Sequence, residues 1–173
     1  MGNKDNNSTT KNECNNENVI LRKKMLDTLD NQSSINIQMN FWFNELMKYH
    51  GVSYSAYRML RFLRRYPDGV EPSVVADNLT IIRQTITNMA DDLQKKGLVV
   101  RIPHPTDRRR IFLSLSDEGK ILSECLVKEM TTVQCNVFEM FTKKEMESYL
   151  DIRTKIIQYT ESEIKKITAD KRV

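Results

Sequence analysis

The stretch that decides the fold is VVADNLTIIRQTITNMADDLQKKGLVVRIPHPTDRRRIFLSLSDEG, residues 74–119. Pro72, two residues before it, is suited to the first turn of a helix, and Gly97 ends a second helical pattern. After Gly97 the apolar residues alternate with a period of two, which predicts strands joined by an arginine-rich loop. The predicted elements are helices over 72–79 and 82–96 and strands over 98–103 and 110–115. Helix, turn, helix, strand, basic loop and strand is the pattern of a winged helix-turn-helix.

The second predicted helix carries one apolar stripe, which predicts its buried face. The stripe residues are spaced i, i+4, i+7 and i+11, as one face of a helix requires. They are Ile82, Ile86, Met89 and Leu93. The acidic pair Asp91 and Asp92 precedes Lys95 and Lys96 by four residues, which predicts ion pairs on the exposed face.

Helical segments flank this region on both sides. Residues 34–49 predict an aromatic-rich helix, and 54–66 predict an arginine-rich helix that Ser53 caps. Thr142 and Glu145 form a T-x-x-E capping box that opens a last helix to about residue 167. Before it, an apolar stripe about 20 residues long predicts another helix. The stripe consists of Leu122, Leu126, Met130, Val133, Val137 and Met140.

The predicted fold class is therefore mainly α with a small β-wing. The two long C-terminal helices carry more apolar surface than one small domain covers, so together with 34–50 they predict a helical dimerisation region. Residues 1–18 contain seven Asn and few large apolar side chains, which predicts a disordered tail. The predicted organisation is a tail over 1–18, an extension over 19–33 and a domain over 34–168, with helix-turn-helix 72–96, wing 98–115 and dimerisation helices 34–50 and 116–168.

The excess positive charge lies in the middle of the chain. Residues 51–120 carry twelve basic and eight acidic side chains, whereas the segments before and after them are neutral. Localised positive charge favours a polyanionic partner, most often nucleic acid. No apolar run approaches the roughly 20 residues that span a bilayer, and no apolar secretory signal opens the chain. A cytoplasmic protein without a membrane partner is expected.

The second predicted helix has the side chains that read base edges in a major groove. Gln84 and Asn88 can bind adenine in a bidentate manner, and Arg83 can bind guanine or phosphate. Thr85 and Thr87 can donate hydrogen bonds to phosphate oxygens. The arginines of the basic loop, Arg108, Arg109 and Arg110, are suited to insertion into a narrow, electronegative minor groove. The sequence thus predicts binding to double-stranded DNA.

Residues 74–119 resemble the winged-helix core of the MarR family of bacterial transcriptional regulators. The motifs that carry the resemblance are Asp107-x-Arg109, Leu115-Ser116, Gly119 and LQKKGLVVR over 93–101. The resemblance implies that Asp107 supports the wing by bracing Arg109, and that both ends of the domain form the dimer interface. Two positions depart from the family pattern. Ile82 stands where a small capping residue is usual, and Thr80 where Gly is frequent.

These features predict a homodimeric transcriptional regulator, a repressor of a pseudo-palindromic operator that a small effector relieves. The aromatic cluster Phe41, Trp42, Phe43, Tyr49, Tyr54 and Tyr57 predicts core at the dimer interface. The alternative, which the resemblance implies, is an effector pocket where the dimerisation helices meet the helix-turn-helix, aromatic acids being common ligands in the family. The predicted pocket residues are Phe41, Phe43, His50, Tyr54, Tyr57 and Arg58. The four arginines between 58 and 65 are otherwise expected to form a solvated face, and contact with DNA phosphate is the alternative.

Two alternatives remain open. The first is a redox-responsive regulator that uses Cys14 or Cys125, and the second is a winged-helix module that binds proteins and not DNA. The basic tip of the wing argues against the second. No enzyme motif such as GxxxxGK[ST], HExxH or GxSxG occurs, and His50 and His104 are too few and too separated for a metal site. We therefore expect neither catalysis nor a cofactor.

Overall fold

The computed structural model describes residues 6–104, 107 and 110–170, and the side chains of 22–104, 107 and 110–169. The elements in this part of the chain are α1 (Asn6–Tyr49), α2 (Tyr54–Leu63), α3 (Pro72–Leu79), α4 (Arg83–Lys95), β1 (Val99–Pro103), β2 (Ile111–Leu115), α5 (Asp117–Phe138) and α6 (Lys143–Asp170). The chain divides into two compact units, Met1–Gly119 and Lys120–Val173. The predicted fold class, mainly α with a two-stranded wing, is confirmed.

Helix α1 is much longer than the sequence predicts. It begins at Asn6, so the prediction of a disordered tail over 1–18 is wrong from residue 6 onward, and residues 1–5 lie outside the described residues. No Pro or Gly stands between Gly2 and Gly51, so nothing in this stretch breaks a helix that has begun. Low hydrophobicity counts against burial but does not forbid helical backbone.

Helices α2, α3 and α4 enclose the core of the first unit. The Ser53 side chain caps α2 as predicted, accepting the Ala56 N–H at 3.1 Å, but α2 ends at Leu63 instead of continuing to Tyr66. The core side chains of these helices are Tyr57, Met59, Leu60, Leu63, Val75, Ala76, Ile86, Ala90 and Leu93. Their burial fixes the orientation of α4 against α2 and α3.

The turn between α3 and α4 keeps its geometry although Thr80 replaces the more permissive glycine. Thr80 has φ 55° and ψ 46°, a left-handed conformation that costs a non-glycine residue roughly 1–2 kcal/mol. The turn closes because the Ile81 N–H donates to the Ala76 carbonyl at 3.0 Å. The neighbouring Ile82 is the N-cap of α4 and is 73% exposed, so its prediction as core is wrong.

The wing is a two-stranded antiparallel sheet. Val99 pairs with Leu115 and Pro103 with Ile111, and a bridge between Val70 and Leu113 ties the sheet to the segment before α3. Leu113 is fully buried, so the apolar face of the wing is part of the core. The base of the wing is therefore held rigidly on the helices.

Ser116 and Gly119 join the wing to α5. The Ser116 hydroxyl donates to the Gly97 carbonyl at 2.6 Å and accepts the Gly119 N–H at 2.9 Å. A Cβ at position 119 would lie 1.9 Å from the Leu98 carbonyl oxygen, so only glycine fits there. The close backbone approach explains this glycine physically.

The second unit consists of most of α5 and all of α6. Helix α5 ends at Phe138, so the last stripe residue, Met140, lies beyond it and is 83% exposed. The capping box is confirmed, because the Thr142 N–H donates to Glu145 Oε2 at 2.8 Å and the Glu145 N–H donates back to Thr142 Oγ1 at 3.3 Å. These bonds lower the pKa of the Glu145 carboxyl.

Helix α6 exposes nearly all of its apolar side chains within this single chain. The exposed set is Tyr149, Leu150, Ile152, Ile156, Ile157, Tyr159, Ile164 and Ile167. A contiguous apolar surface of this kind is unusual for a surface that stays in water. None of the described helices combines the length and apolar character needed to cross a membrane.

Candidate nucleic-acid interface

The N-terminal end of α4 presents unsatisfied polar groups to the outside. Its N-cap, Ile82, has no side-chain oxygen, so no side chain caps the helix there. The first N–H groups of such a helix carry partial positive charge and attract phosphate. Arg83 and Gln84 follow in the first turn and are both exposed. This end of α4 therefore has the charge and the donors that a phosphate backbone requires.

Beyond the first turn, the predicted base-reading side chains lie together on one exposed face. The Gln84 Nε2 atom donates to Asn88 Oδ1 at 3.0 Å, so each amide orients the other. The Thr87 hydroxyl donates to the Arg83 carbonyl at 3.1 Å and would have to give up that bond to donate elsewhere. Thr85 is half-buried. Four of the five predicted residues of α4 thus share an exposed surface.

The tip of the wing is only partly described. Arg108 and Arg109 lie outside the described residues, so the bracing of Arg109 by Asp107 stays a prediction. Arg110 is described, and it forms an ion pair with Glu71, the N-cap of α3. Arg110 therefore joins the base of the wing to the helix-turn-helix, a role that the sequence did not predict.

His104 is held at the base of the wing tip. Its ring packs edge-on against Phe112 with centroids 4.8 Å apart, and its Nδ1 accepts the Asp107 N–H at 3.2 Å. Since Nδ1 is an acceptor, the remaining ring proton of the neutral form lies on Nε2. His104 is half-buried and helps to shape the loop.

Arg101 is a structural residue that the sequence analysis missed. Its guanidinium donates to Asp91 Oδ1 at 2.5 Å and to Gln94 Oε1 at 2.9 Å, which ties β1 to α4. Asp91 therefore pairs with the wing, and its predicted pairing with Lys95 is wrong. The available signal was a charged residue inside an otherwise apolar strand, which needs a partner.

Helix α2 and the turn after it carry four arginines, and their surroundings differ. Arg58 is half-buried and donates from Nη2 to the Leu79 carbonyl at 2.9 Å. Arg61 hydrogen-bonds Tyr57, and burial raises the pKa of the Tyr57 hydroxyl while Arg61 opposes that rise. Arg64 and Arg65 are exposed. The prediction of a uniformly solvated face is thus wrong for Arg58.

The predicted effector-pocket residues are brought together only in part. The rings of Phe43 and Tyr54 lie 5.2 Å apart, and Tyr54 stacks on Tyr57 at 5.8 Å. These three form one row in which Tyr57 is 2% exposed. Phe41 packs instead against Trp42, and the His50 ring lies against Tyr49, both with centroids 5.2 Å apart.

Cys125, one of the two cysteines predicted for a redox role, does not have the surroundings of a reactive thiol. Its Sγ donates to Glu129 Oε1 at 3.6 Å. Loss of hydration, followed by the hydrogen bond and the charge of Glu129, raises the pKa of the Cys125 thiol. A raised pKa suppresses the reactive thiolate. The side chain of Cys14 lies outside the described ones.

Comparison with known proteins identifies the family. Residues 50–110 match the model of the MarR family. The HTH-type transcriptional repressor MdtR of Bacillus subtilis (strain 168) is 30% identical over 121 residues, which cover 70% of this chain and 77% of MdtR. MdtR and the other similar proteins are transcriptional regulators, not enzymes.

Solved structures of the same family share the fold. The MarR family transcription regulator SP03579 has a TM-score of 0.77 at 16% identity and covers 85% of this chain and 97% of its own. The S. aureus MepR–DNA complex has a TM-score of 0.66 at 20% identity, covering 73% of this chain and 92% of its own. The solved structures show the shared fold, and the identity with MdtR together with the family-model match shows that the chain belongs to the MarR family of DNA-binding transcriptional regulators.

Proposed function

We propose that this protein is a homodimeric repressor that binds a pseudo-palindromic site in double-stranded DNA. The observation that carries the proposal is the exposed, uncapped N-terminal end of α4, with Gln84 and Asn88 on the same face. In this proposal α4 enters the major groove, and the helix N-terminus contacts phosphate. Gln84 and Asn88 read base edges, while Arg83, Thr85 and Thr87 bind the backbone.

The wing supplies the second contact. Arg108 and Arg109 at its tip reach the adjacent minor groove, where narrow A·T-rich DNA attracts guanidinium groups. Asp107 supports the tip. Arg110 is excluded from this set in its present conformation because its guanidinium is paired with Glu71. The wing base thus positions the tip while the tip binds DNA.

A second copy of the chain covers the apolar helices in this proposal. Helix α6 exposes an apolar groove lined by Ile156, Ile157 and Ile164, among others. In the first unit, Leu29 and Trp42 of α1 are 56% and 68% exposed. Burial of such surface is favourable at about 25 cal/mol per Å². Dimerisation helices over 34–50 and 116–168 would then present two copies of α4 about one helical turn of DNA apart.

Repression and relief by a small effector complete the proposal. MdtR is named a repressor, and the homoprotocatechuate degradative operon repressor of Escherichia coli is 22% identical over 129 residues. A bound dimer blocks polymerase, and an effector releases it by favouring a dimer with a different spacing of α4. The aromatic row of Phe43, Tyr54 and Tyr57 is one candidate for contact with an aromatic effector.

Fluorescence anisotropy tests the DNA proposal. The probes are a duplex from the upstream region of the gene itself and a shuffled copy, at about 150 mM salt, where nonspecific binding is weak. We expect a preference of about a thousandfold or more for the native duplex. Equal, weak binding to that duplex, to its shuffled copy and to genomic fragments selected for binding would contradict sequence-specific recognition.

Light scattering coupled to size exclusion tests the dimer. Ile157→Glu places a charge in the apolar groove of α6, and Gln158→Glu is the matched control on the same helix. We expect a dimer for the wild type and for Gln158→Glu, and dissociation at micromolar concentration for Ile157→Glu. A monomeric wild type, or an unchanged Ile157→Glu dimer, would contradict this interface.

A further inference from the structure

A cavity of about 240 Å³ lies between α2 and α3. Its lining includes Arg58, one of the predicted effector-pocket residues, and none of the predicted DNA-binding residues of α4 or the wing. The lining residues are Arg58, Arg61, Phe62, Arg65, Asn78 and Leu79. A water molecule takes roughly 30 Å³ in the liquid, so the cavity has the volume of about eight waters. It exceeds the volume of a single ion and is open to solvent.

The cavity concentrates positive charge. Arg58 and Arg61 are spaced i and i+3 on α2, and Arg65 lies in the turn directly after the C-cap of that helix. All three line the cavity, and like charges so close together repel. Among the described residues, none of the three forms an ion pair with a carboxylate. The lining itself contains no acidic residue. Three arginines therefore line the cavity without a counter-charge from the described residues.

The chemistry of the lining selects the class of ligand. Guanidinium groups form paired hydrogen bonds to carboxylate and phosphate oxygens. Phe62 and Leu79 add an apolar wall, and the Asn78 amide adds a donor and an acceptor. We propose that this cavity binds a small anionic metabolite that carries phosphate or carboxylate groups on a short carbon skeleton.

The position of Arg58 links such a ligand to α4. Its Nη2 donates to the carbonyl of Leu79, the last residue of α3, and Thr80 then forms the left-handed turn into α4. An anion in the cavity competes with this carbonyl for Arg58. The turn then has two arrangements, one with Arg58 bonded to the Leu79 carbonyl and one with Arg58 released from it. The ligand changes DNA affinity if it binds one of these arrangements more tightly than the other. This consequence rests on the proposed function, but binding of the anion does not.

Calorimetric titration of the full chain with inorganic pyrophosphate and with citrate, at constant ionic strength set with chloride, tests the site. Arg65→Gln removes one lining charge, and Arg64→Gln is the matched control because Arg64 is the neighbouring C-cap of α2 and does not line the cavity. We expect saturable binding of at least one probe, weakened about tenfold or more by Arg65→Gln and changed less than about twofold by Arg64→Gln. Thermal melting followed by circular dichroism verifies that both variants fold.

Two results would overturn the site. One is the absence of saturable binding by the wild type up to about 10 mM of either probe, a concentration at which even millimolar affinity is detected. The other is an equal loss in Arg64→Gln, which would mean nonspecific attraction to a basic helix.

DNA titrations of the same variants separate the sources of phosphate. If Arg61→Gln and Arg65→Gln lower DNA affinity and no small anion binds, the arginines contact the DNA backbone and the proposal is wrong. If pyrophosphate or citrate binds but no duplex is preferred, the anion site stands and the proposed function fails. If both hold, we expect the bound probe to weaken the DNA affinity of the wild type more than that of Arg65→Gln.

Discussion

The base of the wing and the N-terminal end of α4 are both polar, but they differ in where their polar groups form hydrogen bonds. At the wing base, Arg101 is bonded to Asp91 and Gln94, and Arg110 to Glu71. At the end of α4, the N-cap side chain makes no capping bond, and the side-chain amides of Gln84 and Asn88 bond to each other and to no other described side chain. Polar groups that form hydrogen bonds within the chain stabilise the fold, whereas exposed donors and acceptors at the end of α4 are available to a ligand.

The largest effect is expected at the wing base, where Gly119 meets the Leu98 carbonyl. Gly119→Ala places a Cβ where no space exists, so we expect a loss of about 3 kcal/mol in the free energy of unfolding. Gly97→Ala is the control, since position 97 has open space but a φ of 72° and should lose only about 1 kcal/mol. Urea unfolding measures both, and equal losses would contradict the close approach.

At the end of α4, substitutions should change DNA binding and leave stability alone. Gln84→Ala and Asn88→Ala should each weaken binding to the native site by about 1–3 kcal/mol. Their free energies of unfolding should stay within about 0.5 kcal/mol of the wild type because both residues are exposed. Gln94→Ala, an amide on the same helix that faces the wing, is the control and should keep the base preference. Equal losses on specific and random DNA would reassign Gln84 and Asn88 to phosphate.

Arg101→Ala tests whether the wing base is held by its ion pair. The pair with Asp91 is partly exposed, so we expect a loss of only about 0.5–1 kcal/mol in unfolding free energy, reduced by high salt. A double-mutant cycle with Asp91→Ala isolates the coupling between the two side chains. Additive losses would mean that the short contact contributes nothing to stability.

The smallest expected effects come from Ile82→Ser, which should move stability and binding in opposite directions. A serine N-cap satisfies an N–H of α4 and should add about 0.5–1 kcal/mol to the free energy of unfolding. The same bond removes a group that the proposal assigns to phosphate, so DNA affinity should fall by about threefold. Urea unfolding and anisotropy measure the two quantities, and a rise in both would contradict a role for the uncapped helix end.

The winged helix was predictable from the sequence because its signals are local. The change from helical to alternating periodicity at Gly97, the capping box at Thr142 and Glu145, and the cap at Ser53 each depend on neighbouring residues. The residues of α4 that face outward were predictable for the same reason, since helical spacing assigns them to one face. Their roles on DNA remain predictions.

The contacts that the sequence missed join residues distant along the chain. Glu71 and Arg110 are 39 positions apart, and Asp91 and Arg101 are ten apart, so no local spacing reveals either pair. Ile82 fitted the apolar stripe by spacing, yet it lies at the N-cap, where the chain has not yet entered the helix. The extent of α1 was missed because composition was taken to mean disorder, although no helix breaker interrupts that stretch.

Selection of bound fragments from random duplex DNA tests the central claim most directly, namely that the open end of α4 reads sequence in a dimer. The wild type and Asn88→Ala are each used to enrich fragments, which are then sequenced. The account predicts two inverted half-sites about 10 base pairs apart for the wild type, and loss of base preference at one symmetric position for Asn88→Ala. Recovery of the same motif with both proteins, or of no motif with the wild type, would contradict it.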